Sequence, residues 1–182
     1  QSTNQSTESA TEQAVKEADE IDDLSAKEKE KHKEFKKDAK IYTDREYKVK
    51  CLPEYLKGAK FIQTNNNDKN KSTPNIALKI DEPYTVYILW SGGVDIPEWL
   101  ESYTKKTKAE GVEGCDDSND DKVKISGIYN GKDRTYYLYV YSRDISTNNT
   151  VTFGGNNEAE VMYSVVYKPQ QQEQQQEQQQ QE

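Results

Sequence analysis

The sequence contains very few of the residues on which most enzyme chemistry depends. Histidine occurs once, as His32, in a stretch dominated by lysine and glutamate. A single histidine in such a segment offers no partner for a histidine-dependent acid–base pair, nor for a Ser-His-Asp or Cys-His nucleophile. The phosphate-binding patterns GxxxxGK[ST] and GxGxxG do not occur either. We therefore expect a protein that is not an enzyme and carries no organic cofactor.

Apolar residues are also scarce, at 32% of the 182 residues, and they are unevenly distributed. They are sparse before Ile41 and absent after Pro169. No apolar run approaches the roughly 20 residues that span a bilayer as a helix, so membrane insertion is not expected. The distribution predicts one domain over residues 42–169, preceded by a polar leader (1–41) and followed by a tail (170–182).

Positive charge is in deficit, because 33 acidic residues against 25 basic ones give a formal net charge of −8. A domain-wide basic footprint for nucleic acid is absent, and an anionic membrane surface should repel such a chain. Nucleic acid is therefore not an expected partner.

The leader and the tail have different polar compositions. Residues 1–12 are rich in Ser, Thr, Gln and Asn, which predicts disorder. Residues 13–40 are mostly Glu, Lys, Asp and Ala, which fits either a solvated helix or a loose charged linker. The tail after Pro169 has ten Gln and three Glu, and it should be disordered as a spacer or take part in assembly.

Between the leader and the tail the pattern is that of strands and turns. Eight short runs rich in β-branched and aromatic residues are separated by turn residues. The fold class predicted is all-β, a single antiparallel β-sandwich that is jelly-roll-like. The runs are YKVKCL (47–52), KFIQT (60–64), NIALKI (75–80), YTVYILW (84–90), KVKISGIY (122–129), TYYLYVYSR (135–143), TVTFGG (150–155) and VMYSVVYK (161–168).

Two tryptophans lie close together around a Gly-Gly pair and a proline. Trp90 ends the run YTVYILW, which is apolar on both faces and therefore typical of a covered central strand. Trp99 follows Pro97, which cannot continue a strand ladder. We expect Trp99 to fill one end of the sandwich as a core residue, and Trp90 to lie nearer a binding surface.

The run YYLYVY places three tyrosines, Tyr137, Tyr139 and Tyr141, on one face of a strand. If they are exposed, they form an aromatic strip suited to sugar rings or to another protein. Together with Trp90 they are the candidate ligand-binding residues. The alternative is that the tyrosines pack inward with their hydroxyls at the sheet margin.

Four carboxylates cluster in the sequence DDSNDD, and oxygen ligands at close spacing can hold Ca²⁺. The cluster lacks the spacing and the glycine of an EF-hand, so a solvated acidic loop is the alternative. The candidate metal ligands are Asp116, Asp117, Asp120 and Asp121.

The cysteines and sequons bear on the compartment. Cys51 and Cys115 are the only cysteines, and their separation is unlike that of a zinc site. A disulfide between them is the preferred reading, with two free thiols as the alternative. Together with three N-glycosylation sequons they favour a secreted, extracellular glycoprotein. The sequons begin at Asn4, Asn70 and Asn148.

Several of these segments, taken in order, resemble an accessory β-sandwich module. It is found appended to bacterial polysaccharide lyases and glycoside hydrolases, and in other secreted proteins. In this sequence no catalytic domain accompanies it, and a charged insertion follows IPEWL. The segments are LPEYLKGAKFIQTNNNDK (52–69), VYILW, IPEWLESY, YYLYVYSRDISTNNTVTFGGNN and VMYSVVYKP.

The resemblance implies a non-catalytic secreted module that binds carbohydrate or extracellular matrix, with a polysaccharide or glycoprotein as partner. The alternative is a structural subunit of an extracellular assembly or filament. In that case the partners are other copies of the chain, contacted through the tails and sheet edges.

Overall fold

The computed structural model describes residues 20–23, 32–70, 76–80, 82–107, 120–146 and 149–170. Over these residues the regular structure consists of β-strands and three short 3₁₀ helices. The all-β expectation is thereby confirmed, and each of the eight predicted runs contributes a strand. None of the described helices has the length and apolar character needed to cross a membrane.

The elements follow one another along the chain in this order. The strands are β1 (Glu20–Asp23), β2 (Lys33–Glu34), β3 (Lys48–Cys51), β4 (Lys60–Ile62), β5 (Ile76–Ile80), β6 (Tyr84–Trp90), β7 (Thr104–Lys105), β8 (Lys122–Tyr129), β9 (Lys132–Ile145), β10 (Asn149–Phe153) and β11 (Ser164–Pro169). The 3₁₀ helices are η1 (Glu54–Leu56), η2 (Asn66–Asn70) and η3 (Glu98–Ser102).

The described strands form one large and one small sheet. The large sheet has the order β2-β4-β11-β6-β9-β8-β3, all antiparallel, and β7 pairs with β9 next to the end of β8. In the small sheet β5 pairs antiparallel with β10 and parallel with β1. The long strand β9 organises the large sheet, because β8 pairs along its first half and β6 along its second half.

Strand β6 lies in the middle of the large sheet and is buried along its whole length. It pairs with β9 on one edge and β11 on the other. Both of its faces are apolar, and both are covered, as the run YTVYILW predicts. The buried side chains of the two sheets, including Leu78 of β5 and Phe153 of β10, belong to one hydrophobic cluster.

A buried amide holds the chain between β10 and β11. The side chain of Asn156 is fully buried; its Nδ2 donates to the carbonyl of Val161 (2.8 Å) and its Oδ1 accepts from the N–H of Tyr163 (3.1 Å). Asn66 of η2 also holds the chain between β10 and β11, since its Oδ1 accepts from the N–H of Met162 (3.0 Å). Buried polar groups need such partners, so both turns are fixed from inside rather than simply solvated.

The described residues of the leader include two strands, whereas a helix was one of the two structures expected for this segment. β1 pairs with β5 and β2 pairs with β4, so both extend sheets. Phe35, directly after β2, is fully buried and meets Phe61 edge-on, with ring centroids 5.7 Å apart. Pairing with an open sheet edge and burial of one aromatic ring outweigh the weak local helix propensity of the Lys/Glu-rich segment.

Other expectations fall partly outside the described residues. Cys51 is disulfide-bonded, whereas Cys115 lies outside them, so the pairing of the two stays a prediction. Asn70 ends η2, and the sequon residues Asn4 and Asn148 are not described. The first nineteen residues and residues 171–182 of the Gln-rich tail are likewise not described.

Candidate functional site

The two tryptophans differ in burial, in the sense opposite to the sequence-based expectation. Trp90 is only 3% exposed and meets Tyr141 edge-on, at a centroid distance of 6.2 Å. Trp99 is partly exposed. Trp90 was expected nearer a binding surface, but the side chain is covered on the fully buried strand β6, so the assignment of Trp90 as a ligand contact is wrong.

Trp99 is nevertheless a structural residue at the end of the fold, as its place after Pro97 predicts. It lies in the 3₁₀ helix η3 and contacts the rings of Tyr103, Phe153 and Tyr163, with centroids 5.0–6.1 Å away. Its Nε1 donates to the carbonyl of Gly155 (2.8 Å). Gly154 is required beside it, because a Cβ there would lie 2.4 Å from Trp99 Cδ1.

The Gly-Gly pair after Trp90 lies against the tyrosine strand. Gly92 has φ +75°, and a Cβ on it would lie 2.7 Å from Cε2 of Tyr139. Gly93 has φ +84° with open space around the corresponding position. Thus the glycines turn the chain out of β6 and let it pass closely over Tyr139.

The predicted tyrosine row on β9 is brought together, but only part of it is exposed. Tyr137 is 39% exposed, Tyr139 is partly buried, and Tyr141 is 7% exposed. The alternate residues Leu138 and Val140 are fully buried. The row therefore runs from the solvent at Tyr137 to the core at Tyr141, where Trp90 covers it.

Lysines surround the exposed end of this row. The Nζ of Lys105 lies 4.2 Å and that of Lys122 4.9 Å from the ring centroid of Tyr139, and Lys124 Nζ lies 6.0 Å from that of Tyr137. We call these five residues the Lys/Tyr face. Such cation–π contacts hold long side chains over the rings and contribute about 0.5–1 kcal/mol each at exposed sites.

The electrostatics of Lys105 keep it cationic. Burial lowers its pKa, but the hydrogen bond and charge of Asp120, whose Oδ2 lies 3.0 Å from Lys105 Nζ, outweigh burial and the pKa is raised. Burial is also the main reason that the pKa of the neighbouring Tyr141 is raised. Lys105 consequently carries a positive charge beside Tyr139.

An open groove of about 810 Å³ borders the Lys/Tyr face. Its lining includes Lys48 and Lys50 of β3, Ser126 of β8, and Arg134 and Thr135 of β9. Lys48 pairs with Ser126, and Ser126 pairs with Thr135, which stands two residues before Tyr137 on the same strand. The groove and the Lys/Tyr face are therefore continuous along β8 and β9.

The acidic cluster is divided in the described residues. Asp120 pairs with Lys105, whereas Asp121 is 5% exposed and its charge raises the pKa of the buried Tyr55, after the larger effect of burial. Asp116 and Asp117 lie outside the described part of the chain. Within that part, no three His, Cys, Asp or Glu residues form a group that could hold a metal ion. The Ca²⁺ site stays a prediction.

The single histidine lies against the domain. His32 Nδ1 is 2.5 Å from the hydroxyl of Tyr167, and the two rings meet edge-on at 5.5 Å. This contact anchors the start of the described segment 32–70 to strand β11.

Sequence reasoning missed the lysines of this site, although a signal for them exists. The tripeptide Lys-Val-Lys occurs twice, at 48–50 and at 122–124. In each case the valine is fully buried and the lysines are more accessible, as alternation along a half-covered strand requires. What could not be read was that β3 and β8 are neighbours, with Lys48 opposite Ser126 and Cys51 opposite Lys124, so that the lysines of both strands contribute to one surface.

Comparisons with known proteins bear on the fold. No protein-family model matches the chain, and no curated protein matches it. A solved structure described as a beta-glucuronidase from glycoside hydrolase family 2 is similar, with 23% identity and a TM-score of 0.55. The match covers 72% of this chain but only 12% of the enzyme. The chain thus shares the fold of a small part of a glycoside hydrolase, in keeping with the resemblance in its sequence.

Proposed function

We propose that this chain is a non-catalytic, secreted β-sandwich module that binds a polysaccharide or the glycan of a glycoprotein. The observation that carries the proposal is the Lys/Tyr face, a sheet surface on which Tyr137 is 39% exposed and Tyr139 partly exposed between lysines. Aromatic rings on a strand offer apolar area for the faces of sugar rings at low entropic cost.

Three further observations support the proposal. The similarity to a short part of a glycoside hydrolase agrees with a module that elsewhere accompanies carbohydrate-active enzymes. Cys51 is disulfide-bonded, which suits an oxidising, extracellular compartment. The lone histidine contacts a tyrosine hydroxyl on β11, away from the Lys/Tyr face. A binding role without catalysis accounts for all three.

The proposal is tested by measuring binding of the full chain to a panel of soluble polysaccharides, neutral and charged, by affinity electrophoresis. For a polysaccharide that binds in this panel, Tyr137→Ala should weaken the binding about tenfold, because a stacked ring is lost. Tyr129→Ala is the matched control, since Tyr129 is 37% exposed but lies at the β8–β9 hairpin under Arg45. Failure of every polysaccharide to retard the protein would refute the proposal.

Self-association is a second candidate function, and the N-terminal strands favour it. β1 and β2 pair at outer positions of the two described sheets, on β5 and β4. Edge strands that the N-terminal segment supplies can also pair with another copy, which is the basis of domain swapping. A structural subunit of an extracellular assembly could be built in this way.

Light scattering coupled to size exclusion tests this second candidate on the full chain and on a variant lacking residues 1–31. An oligomer that dissociates on removal of the segment, including β1, supports assembly through sheet edges. A full chain that stays monomeric at every concentration excludes it.

A further inference from the structure

We propose that the Lys/Tyr face and the adjoining groove recognise a polyanionic polysaccharide, one bearing carboxylate or sulfate groups on its sugars. This inference rests on the proposed carbohydrate-binding function and specifies the class of sugar. It follows from a local charge that is opposite in sign to that of the whole chain.

The chain carries a formal net charge of −8, yet this surface is basic. Two Lys-Val-Lys strands lie next to each other here, and Lys105 of β7 adds a further ammonium group beside Tyr139. The basic side chains of the surface are Lys48, Lys50, Lys105, Lys122 and Lys124.

The carboxylates near this surface, among them Asp133 in the lining of the groove, offset part of the charge. Asp120 pairs with Lys105, and the pair is 30–39% exposed. Asp38 is 4.0 Å from Lys50, a distance at the limit of an ion pair. Glu46, which also lines the groove, is bonded to Lys40 at 3.1 Å. Since exposed ion pairs are weak, an incoming anion can exchange for these partners at little cost.

The spacing of the basic groups suits a chain of charged sugars. In register, Lys124 stands opposite Tyr137 and Lys122 opposite Tyr139, so each exposed ring has a lysine beside it. From Thr135 in the groove to Tyr139 the strand extends about 14 Å. An ammonium group has three donors, so one that lies over a ring can still bond to a carboxylate or sulfate. The rings can thus contact the faces of the sugars, while the neighbouring ammonium groups bind the acidic groups of the sugars.

Charge also distinguishes this ligand class from its competitors. A neutral glycan would use the tyrosines but would gain no charge interaction from the lysines. A nucleic acid is the less favoured polyanion, because the chain has no domain-wide basic footprint.

The test compares four probes on the full chain: polygalacturonate, dextran sulfate, neutral dextran and single-stranded oligothymidylate. We expect the two acidic polysaccharides to bind, more weakly as salt rises, because the contacts are largely between exposed charges. Lys122→Gln with Lys124→Gln should weaken this binding about tenfold. Lys36→Gln with Lys37→Gln, two exposed lysines outside the surface, should leave it unchanged. Thermal melts of both double variants verify that they fold.

Every other result overturns the inference in a recognisable way. Binding to neutral dextran that equals binding to dextran sulfate, with no effect of the lysine pair, leaves carbohydrate binding intact but excludes recognition of acidic groups. Oligothymidylate that binds as tightly as the acidic glycans shows a general polyanion surface instead. If none of the polysaccharides retards the protein, the proposed function itself is refuted.

Discussion

Trp90 and Trp99 are the same residue type, but their environments in the fold differ. Both are large aromatic side chains near the same turn, but Trp90 lies on a strand covered on both faces and Trp99 on a short 3₁₀ helix at the margin. The proline before Trp99 correctly indicates a structural position. The glycines after Trp90 do not open a binding site, because Gly92 packs against Tyr139.

The burial of the tryptophans predicts unequal stability losses. Trp90→Ala should lower the free energy of unfolding by about 3–5 kcal/mol, as loss of a fully buried large ring does. Trp99→Ala should cost about 2–4 kcal/mol, because part of that ring is already solvated although its hydrogen bond and ring contacts are lost. Urea unfolding measures both losses.

The exposure of the two rings is tested by fluorescence quenching. Iodide should quench the fluorescence of a Trp99-only protein (Trp90→Phe) more than that of a Trp90-only protein (Trp99→Phe). Equal quenching would contradict the assignment.

At the scale of elements, the turn after β6 connects the core strand to the candidate surface. Gly92 and Gly93 both have positive φ, but only Gly92 lacks room for a Cβ. Comparing the stability losses of alanine substitutions at Gly92 and Gly93 therefore separates the cost of backbone strain from the cost of contact with Tyr139.

We expect Gly93→Ala to cost about 1–2 kcal/mol, the strain of a left-handed residue. Gly92→Ala should cost at least about 1 kcal/mol more, because the methyl group meets Tyr139 as well. Chemical denaturation gives the difference, and the near-UV circular dichroism of the tyrosines should change for Gly92→Ala alone. Equal losses would mean that Tyr139 moves aside freely.

The leader strand β2 and the residue after it act as one element of the core. Phe35→Ala should lower the free energy of unfolding by about 3–5 kcal/mol, since the ring is fully buried against Phe61. Lys37→Ala, at an exposed position nearby, should change it by less than about 0.5 kcal/mol. A loss below about 1 kcal/mol for Phe35→Ala would show that the leader is dispensable for the fold.

At the scale of the whole molecule, tyrosine burial makes stability depend on alkaline pH. Burial is the leading cause of a raised pKa in each of several tyrosines. It brings the pKa of Tyr47 and of Tyr103 to about 12, and it raises the pKa of Tyr42 and of Tyr163 as well. The unfolded value is 10.0, so the folded state holds these protons more tightly. The stabilisation is complete below pH 10 and is lost as the pH rises toward 12.

The expected result is a urea midpoint that is constant up to about pH 9 and falls steeply above pH 10. A midpoint unchanged at about pH 11 would show that the buried phenols titrate while the protein is folded.

The cysteines give a prediction for the whole chain. Cys51 is disulfide-bonded, and we expect Cys115 to be its partner, in a loop of about 64 residues. Peptide mapping of unreduced protein should recover the cross-linked pair, and reduction should lower the free energy of unfolding by about 3–5 kcal/mol. A free, alkylatable Cys115 would exclude the pairing and weaken the argument for secretion.

The sequence by itself determined eight of the described strands and the all-β class. Alternation of apolar and polar residues is a local property, so runs such as YTVYILW and KVKISGIY coincide closely with β6 and β8. It also placed Tyr137, Tyr139 and Tyr141 on one face, because the period of a strand is fixed at two.

Only the tertiary structure decided which faces are covered and which strands are neighbours. Tyr141 is buried and Tyr137 exposed, although both occupy the same face, because Trp90 covers one end of the row. The lysines of β3 and β8 meet because these strands pair across about 75 residues of sequence, a contact that no local pattern encodes. The strands at Glu20–Asp23 and Lys33–Glu34 likewise arise from pairing with open sheet edges, whose hydrogen bonds outweigh a small intrinsic preference for helix.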